Sequence, residues 1–322
     1  MRSPFVSVLF CTYRPGGFDV ALSGLVGQDY EGEWEVVIVD ELHAWREGHV
    51  AEWWSDAQIR QGVFARGPLR HLSSARSIYP RSSTVFARND ALVAARGELG
   101  IWLTDYCAVR PSFISDHVAV HAKHGFDRAL LVNAAFFNVW PPRFAPEVAA
   151  VLPVERSDFS RWACHRTLFE SPLDASAVWL LPLQNRTMVD GAWSRLQTGQ
   201  DEASMRFCDG WVTPDHLFMK NESFWLDALR AAGGLDEAYA GLHKYDDADL
   251  GLRLSARGWR FYHSKRPAIR VVQVRTQVGF MGQPDDAEAQ GVALLDEARG
   301  RVANGMTAPR ETHPALRATV KP

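Results

Sequence analysis

The sequence predicts an α/β fold, a mostly parallel central sheet flanked by helices. Three observations carry this. Through the first third of the chain, short apolar runs alternate with amphipathic stretches, as in βαβ units. Two of those runs, Phe5–Cys11 and Trp34–Asp40, read as strands buried under helices on both faces. The 322 residues, 47% apolar and 23% charged, have an ordinary globular composition and are enough to bury a large core.

Taken in order, Phe5–Cys11 is the first strand and Arg14-Pro15-Gly16-Gly17 a turn. Phe18–Gly27 carries Val20, Ala21, Leu22, Leu25 and Val26 at helical spacing. Trp34–Asp40 is a second strand rich in β-branched residues, Trp45–Trp54 a helix and Gly62–Ala65 a third strand. Ser83–Arg96 is a helix that Gly97 stops in a left-handed conformation, and Ile101–Leu103 is the next strand. Pro111–His124 is a helix opening on proline, and Ala129–Phe137 a strand. Pro141 to Gly210 has no sustained period and reads as a loop-rich insertion. Phe218–Ala232 is a strand followed by a helix. Asp246–Arg257 is a helix with acidic residues in its first turn and Gly258 just past its end. Trp259–Tyr262 and Ala268–Val274 are strands, Pro284–Val302 a helix, and Thr307–Pro322 a polar, mobile tail.

Composition removes several function classes. Thirty-five basic against thirty-eight acidic residues leave a formal charge of −3, with no basic field for nucleic acid. Cys11, Cys107, Cys164 and Cys208 form no C-x-x-C pair, which argues against a zinc ribbon or redox motif and fits a reducing compartment. Met1–Pro4 and the short apolar run Phe5–Phe10 make no secretory leader, and no apolar run reaches the ~20 residues of a membrane span. A soluble, cytoplasmic protein is the expectation. After the first strand, Cys11–Gly17 contains neither G-x-G-x-x-G nor a P-loop, against dinucleotide oxidoreductases and Walker-type ATPases.

In an α/β sheet, ligands bind beyond the carboxyl ends of the strands. Thr12-Tyr13-Arg14, Asp40-Glu41 and Thr104-Asp105-Tyr106 stand there. Tyr13 can stack on a base, Asp40 can accept from a base or ribose, and Asp105 can reach a metal or a ribose. The same segments take part in a longer, ordered series. It comprises Val6–Tyr13, Trp34–Asp40, Ala87-Arg88-Asn89-Asp90-Ala91-Leu92 with Ala95–Glu98, Ile101–Asp105, Ala232–Glu237, and Asp246–Leu254 with Gly258. In that order and spacing, over most of residues 5 to 274, the chain resembles family 2 glycosyltransferases of GT-A fold.

The resemblance implies transfer of a sugar from a nucleotide-diphosphate sugar, a UDP-sugar being favoured, to an acceptor hydroxyl by an inverting single displacement. It implies that Thr12, Tyr13, Arg14, Asp40, Arg88, Asn89, Thr104 and Asp105 hold the nucleotide sugar. Asp247 matches the family's catalytic base and Asp246 is placed to tune it. Asp209, Gly210 and Trp211 are the acceptor-side candidates. Arg88, Arg110 and Arg253 could meet the diphosphate, since guanidinium binds phosphate in a bidentate manner.

Two departures alter the metal site that the resemblance implies. Where the family clusters aspartates, Thr104-Asp105-Tyr106 keeps one carboxylate, so Asp105 is the sole acidic metal candidate of a degenerate Asp-x-Asp motif. Where the family often has a histidine after the strand following the acidic helix, register places Gln273, and His263 lies too early. Mg2+ or Mn2+ would then be held mostly by substrate phosphates and water, and weak or absent metal dependence is expected. His117, His121 and His124 lie at helical spacing without a third strong ligand and read as a partly exposed helix face.

On this reading residues 1–106 are the nucleotide-sugar half and 107–282 the acceptor half of one domain, with the insertion at about 141–210. Residues 283–322 are the C-terminal helix and tail. Two other classes fit the same sheet: a catalytically impaired protein that binds a nucleotide sugar, and a sugar-phosphate nucleotidyltransferase, for which Arg14-Pro15-Gly16-Gly17 is a faint echo of a triphosphate loop.

Overall fold

A computed structural model describes residues 3–12, 22, 25, 27–41, 43, 68–76, 84–104, 107–109, 111–134, 136–139, 210–214, 217, 219–242, 245–264, 271–274 and 286–320. Tyr13, Arg14, Asp105, Arg110 and Asp209 lie outside these residues. So do the expected elements Trp45–Trp54 and Gly62–Ala65, most of Phe18–Gly27, and the insertion up to its last residue.

The strands are β1 (Val6–Thr12), β2 (Trp34–Asp40), β3 (Leu69–Ser73), β4 (Leu99–Leu103), β5 (Cys107–Ala108), β6 (Leu130–Ala134), β7 (Phe136–Val139), β8 (Gly210–Val212), β9 (Asn221–Trp225), β10 (Arg260–Ser264) and β11 (Val271–Val274). The helices are α1 (Thr84–Ala94), α2 (Phe113–Lys123), α3 (Leu226–Ala231), α4 (Asp246–Ala256) and α5 (Ala287–Ala303). Eight strands form one sheet in the order β3-β2-β1-β4-β9-β6-β10-β8. β1 to β4 are parallel, and β1 and β2 are in register from Val6 against Trp34 to Thr12 against Asp40. β9 runs antiparallel to both β4 and β6, β10 is parallel to β6, and β8 closes the edge antiparallel to β10. A small second sheet orders β5-β11-β7.

Both faces of the large sheet are covered, which is why its strands are apolar almost throughout. Leu9, Val37, Val39 and Trp102 point into a cluster with Leu92 of α1, Leu229 of α3 and Leu250 and Leu254 of α4. Val8, Phe10, Val36, Ile38 and Ile101 point the other way, onto Phe113 and Ile114 of α2. The buried Glu35 inside β2 is tolerated because it is met on several sides. Ser7 Oγ donates to it at 2.8 Å, the Arg96 backbone N–H at 2.6 Å, and Arg70 lies 3.5 Å away. Among the described residues no helix is long and apolar enough to cross a membrane.

Several expectations are corrected. Leu69–Ser73 forms a strand that the sequence did not suggest, because Arg70 and His71 interrupt its apolar pattern. Ala129–Phe137 splits into β6 and β7, which belong to different sheets. Gly97 is not left-handed, since it is absent from the positive-φ residues; a Cβ there would meet Ser7 Oγ at 2.7 Å and Phe5 O at 2.8 Å, so close packing selects glycine. His117 and His121 are fully buried, not on an exposed face. His117 is bonded to Ser223 and Asn221, and His121 to the same serine, each at 2.9 Å. The tail is docked, not mobile: Leu316 sits in the core, and Arg310 and Glu311 bond Asp236. Its polarity was misleading because its charged groups answer buried ones elsewhere.

Candidate active site

β4 and β9 are neighbours running in opposite directions, with Leu103 opposite Asn221. The carboxyl end of β4 therefore stands beside the loop that enters β9. At this reversal a small hollow opens, lined by Leu9, Phe10, Cys11, Arg88, Ala91, Trp102, Leu103, Thr104 and Met219. Its position at the carboxyl ends of β1 and β4 is where an α/β sheet binds ligands.

Arg88 reaches this hollow from α1. Its Nη2 donates to Met219 O at 3.2 Å and its Nη1 contacts Met219 Sδ at 3.0 Å. The same Nη1 lies 3.3 Å from Asp246 Oδ2 in the first turn of α4. Residues 158 apart in sequence thus bring the late acidic helix against the rim of the parallel strands. Burial raises the Asp246 carboxyl from 3.8 to about 6; Arg88 pulls it down and Asp247 pushes it up. Asp247 is also raised, by burial, against the Ala248 N–H that its Oδ1 accepts at 2.8 Å and the charge of Arg88. The helix N-terminus favours charge on both carboxylates, so the first turn of α4 holds two acids poised between forms.

One strand over, Thr12 O accepts the Glu41 N–H at 2.9 Å, which joins the ends of β1 and β2. Asp40 is fully buried, and its Oδ2 lies 2.8 Å from His71 Nε2. The His43 ring packs 4.4 Å from His71, so the end of β2 presents imidazoles in front of the carboxylate. Thr104, half-buried, lines the hollow itself. Gln273 stands opposite Cys107 across β5 and β11, two residues along the chain from Asp105. Among the described residues no group of three or more His, Cys, Asp or Glu side chains could hold a metal ion.

Some candidates are not brought to this place. Asn89 is fully buried with its amide committed: Nδ2 donates to Leu235 O at 3.0 Å and Glu237 Oε1 at 2.9 Å, and Oδ1 accepts the Leu235 N–H at 2.9 Å. It braces α1 against residues 233–237 and has no group left for a nucleotide. Arg253 is buried on Asp249 at 2.7 Å and caps Gly234 O at 3.0 Å, a structural place and not a phosphate site. Gly210 and Trp211 lie on the edge strand β8. Four strand steps separate β8 from β4, roughly 19 Å at the usual interstrand spacing, so Trp211 stands clear of the hollow, about half exposed. Sequence reasoning missed His71 and Met219. No local pattern flags either, since only the strand order places them at the rim.

No protein-family model matches the chain, and no curated protein matches it. Solved structures do. A mannosyltransferase, PcManGT from Pyrobaculum calidifontis, solved with GDP-Man and Mn2+, is similar at 15% identity and a TM-score of 0.51, over 99% of this chain and 74% of that one. TarS of S. aureus is similar at 14% identity and 0.52, over 94% and 42%. GalNAc-T7, solved with UDP, GalNAc and Mn2+, is similar at 12% identity and 0.53, over 95% and 55%. The chain spans about half the length of the last two. The fold is of GT-A type.

Proposed function

We propose that the chain is a nucleotide-sugar-dependent glycosyltransferase of family 2 type. It moves a hexose from a nucleotide-diphosphate sugar, a UDP-sugar by preference, to an acceptor hydroxyl with inversion. The observation that carries this is the contact of Arg88 with Asp246, which sets two acids against the ligand-binding rim of a GT-A-type sheet. Residues 1–106 supply the nucleotide-sugar half and 107–282 the acceptor half. Thr12, Tyr13, Arg14, Asp40, Arg88, Thr104 and Asp105 surround the nucleotide. Asp209, Gly210 and Trp211 serve the acceptor only where it is long enough to reach the sheet edge.

In this mechanism Asp247, the less buried of the two acids, takes the proton from the incoming hydroxyl. Asp246, paired with Arg88, raises the basicity of its neighbour by like-charge repulsion. Arg88 offers positive charge toward the departing diphosphate. A divalent ion fits the chain poorly: one carboxylate, Asp105, and the amide of Gln273 are a weak donor set for Mg2+ or Mn2+. The same poverty of ligands favours a second reading, a protein that binds nucleotide sugar without turning it over.

Two measurements test the proposal. Melting curves with UDP, GDP, CDP and dTDP should show at least one nucleotide raising the transition, as a ligand of the folded state must. Nucleotide release from the matching donor should fall by about 10²–10⁴-fold in D247N while the nucleotide-induced melting shift survives. Release that is unchanged in D247N refutes the assigned base. Nucleotide binding without release in the wild type selects the non-catalytic reading. Complete, metal-rescued loss of release after chelation rejects weak metal dependence.

A further inference from the structure

We infer that Arg310, on the segment after α5, is a positioning residue that holds α1 and α4 at the spacing on which the Arg88–Asp246 contact depends. The inference rests on the reading above only for its activity readout.

The contact joins two helices, and the C-terminal segment grips the structure between them. Asp236, in the corner that precedes α4, is buried, and its carboxylate accepts four hydrogen bonds. One comes from Ala238 N at 3.1 Å, and three come from the C-terminal segment: Arg310 N and Nε at 2.9 Å each, and Glu311 N at 3.0 Å. Burial alone would push this carboxyl up, and the bonds outweigh it and hold it below its ordinary value. The Arg310 guanidinium also lies over the Tyr239 ring at 5.2 Å and donates to Leu294 O of α5 at 2.9 Å. It thus ties the corner to the last helix.

The next residues reach α1. Glu311 O accepts the Glu237 N–H at 2.9 Å. Glu237 receives Arg76 at 2.7 and 2.8 Å and Asn89 of α1 at 2.9 Å. Arg76 also pairs with Asp90 at 2.7 Å, and His313 Nε2 lies 3.0 Å from the same Asp90 oxygen. Asp90 is two residues beyond Arg88 on α1. At the other end, the Tyr245 hydroxyl bonds Glu288 of α5 immediately before Asp246. Tyr245 is left-handed, with φ 63°, a conformation that persists in a bulky residue only where its surroundings hold it. Besides the core packing and the Arg253 and Asn89 bonds described above, a chain of groups that fixes the start of α4 relative to α1 thus runs through, or beside, the segment that Arg310 anchors. None of these groups lines the hollow, so their effect on chemistry is through geometry alone.

The experiment compares wild type, R310A and R310K. For donor turnover, R310A should lose about 10–100-fold in kcat, the cost of misplacing a reacting group by an ångström or so. KM for the donor should stay within about 2-fold, because the rim of β1 and β4 is untouched. R310K keeps a charged donor toward Asp236 and should recover part of the loss. Hydrogen exchange gives a readout that needs no donor. The Asp249 amide, bonded to Tyr245 O at 2.9 Å, should exchange about 10-fold faster in R310A while amides of β1 and β2 keep their rates. Unchanged kcat, or loss of kcat and KM together with R310K no better than R310A, overturns the inference. So does exchange that is unchanged, or accelerated equally across the sheet. If the wild type turns over no donor, the functional reading fails, and the exchange comparison still decides this one.

Discussion

Replacing Asp246 by asparagine is expected to weaken turnover and to raise stability at the same time. Burial, with repulsion from Asp247, lifts this carboxyl from 3.8 to about 6 against the pull of Arg88. A native value above the unfolded one means that the folded protein holds the proton more tightly. The ionised group therefore costs its full amount above about pH 6; the cost shrinks as pH falls from about 6 toward 3.8 and is gone below that. At ~1.4 kcal/mol for each tenfold, the full displacement sets a ceiling of roughly 3 kcal/mol at neutral pH. Because the burden is shared with Asp247, about 1–2 kcal/mol is the expected gain for D246N. Arg88 is not stranded, since it keeps Met219 O and Sδ and the new amide oxygen still accepts from it. In a protein of this size 1 kcal/mol moves Tm by about 2 °C, so D246N should melt about 2–4 °C above wild type near pH 7.5. The gap should close toward about pH 4. Calorimetry on both proteins across this range isolates the effect, because other titrations cancel in the difference. A D246N protein that melts below wild type at neutral pH, or whose advantage persists in acid, refutes the burial argument.

Two other outcomes follow from buried groups. Burial lowers His117 to about 4 and His121 to about 3, so both are neutral in the fold and gain protons on unfolding below their ordinary 6.5. Stability should fall by several kcal/mol as pH drops from about 6.5 to 4, read as a declining urea midpoint; a flat midpoint would mean that the histidines are solvated. Gly234 has φ 66°, and a Cβ there would stand 2.6 Å from Asn89 Oδ1. G234A should cost about 2–4 kcal/mol in urea unfolding, more than left-handed strain alone, and a loss under about 1 kcal/mol would show that Asn89 moves aside freely.

The parallel half of the sheet was legible because its signal is local. Val6–Thr12 and Trp34–Asp40 are apolar on both faces, and α4 announces itself by three aspartates in its first turn and a left-handed Gly258 after its end. What stayed hidden depends on partners far along the chain. The Arg70–Ala94 and His71–Asp40 bonds make sense of a strand whose polar residues masked it. Asn89 sits in a segment that resembles a nucleotide-binding motif, yet its amide is consumed by Leu235 and Glu237, well over a hundred residues away. The polar run after α5 looked unable to pack because a sequence does not show that Asp236 waits, buried, for Arg310.

The direction of β9 explains why the candidate site residues come from such distant places. In an all-parallel sheet, the loop beside the end of β4 would leave its neighbour and lead away from the rim. Here it enters β9, so Met219 arrives under Arg88 and the chain then runs through β9 and α3 to the far side before returning as α4. That detour lets an acid from the second half of the chain meet an arginine from the first at the edge of the hollow. The arrangement is held by buried carboxylates of opposite habit. Asp236 is kept ionised by four donors, while Asp246, with Arg88 as its ion-pair partner, is pushed toward its neutral form. The scaffold acid is held ionised by its donors, while burial of the acid beside Arg88 outweighs the groups that favour its charge. On the proposed function, that difference makes the first turn of α4 the candidate place where the fold gives up stability for chemistry.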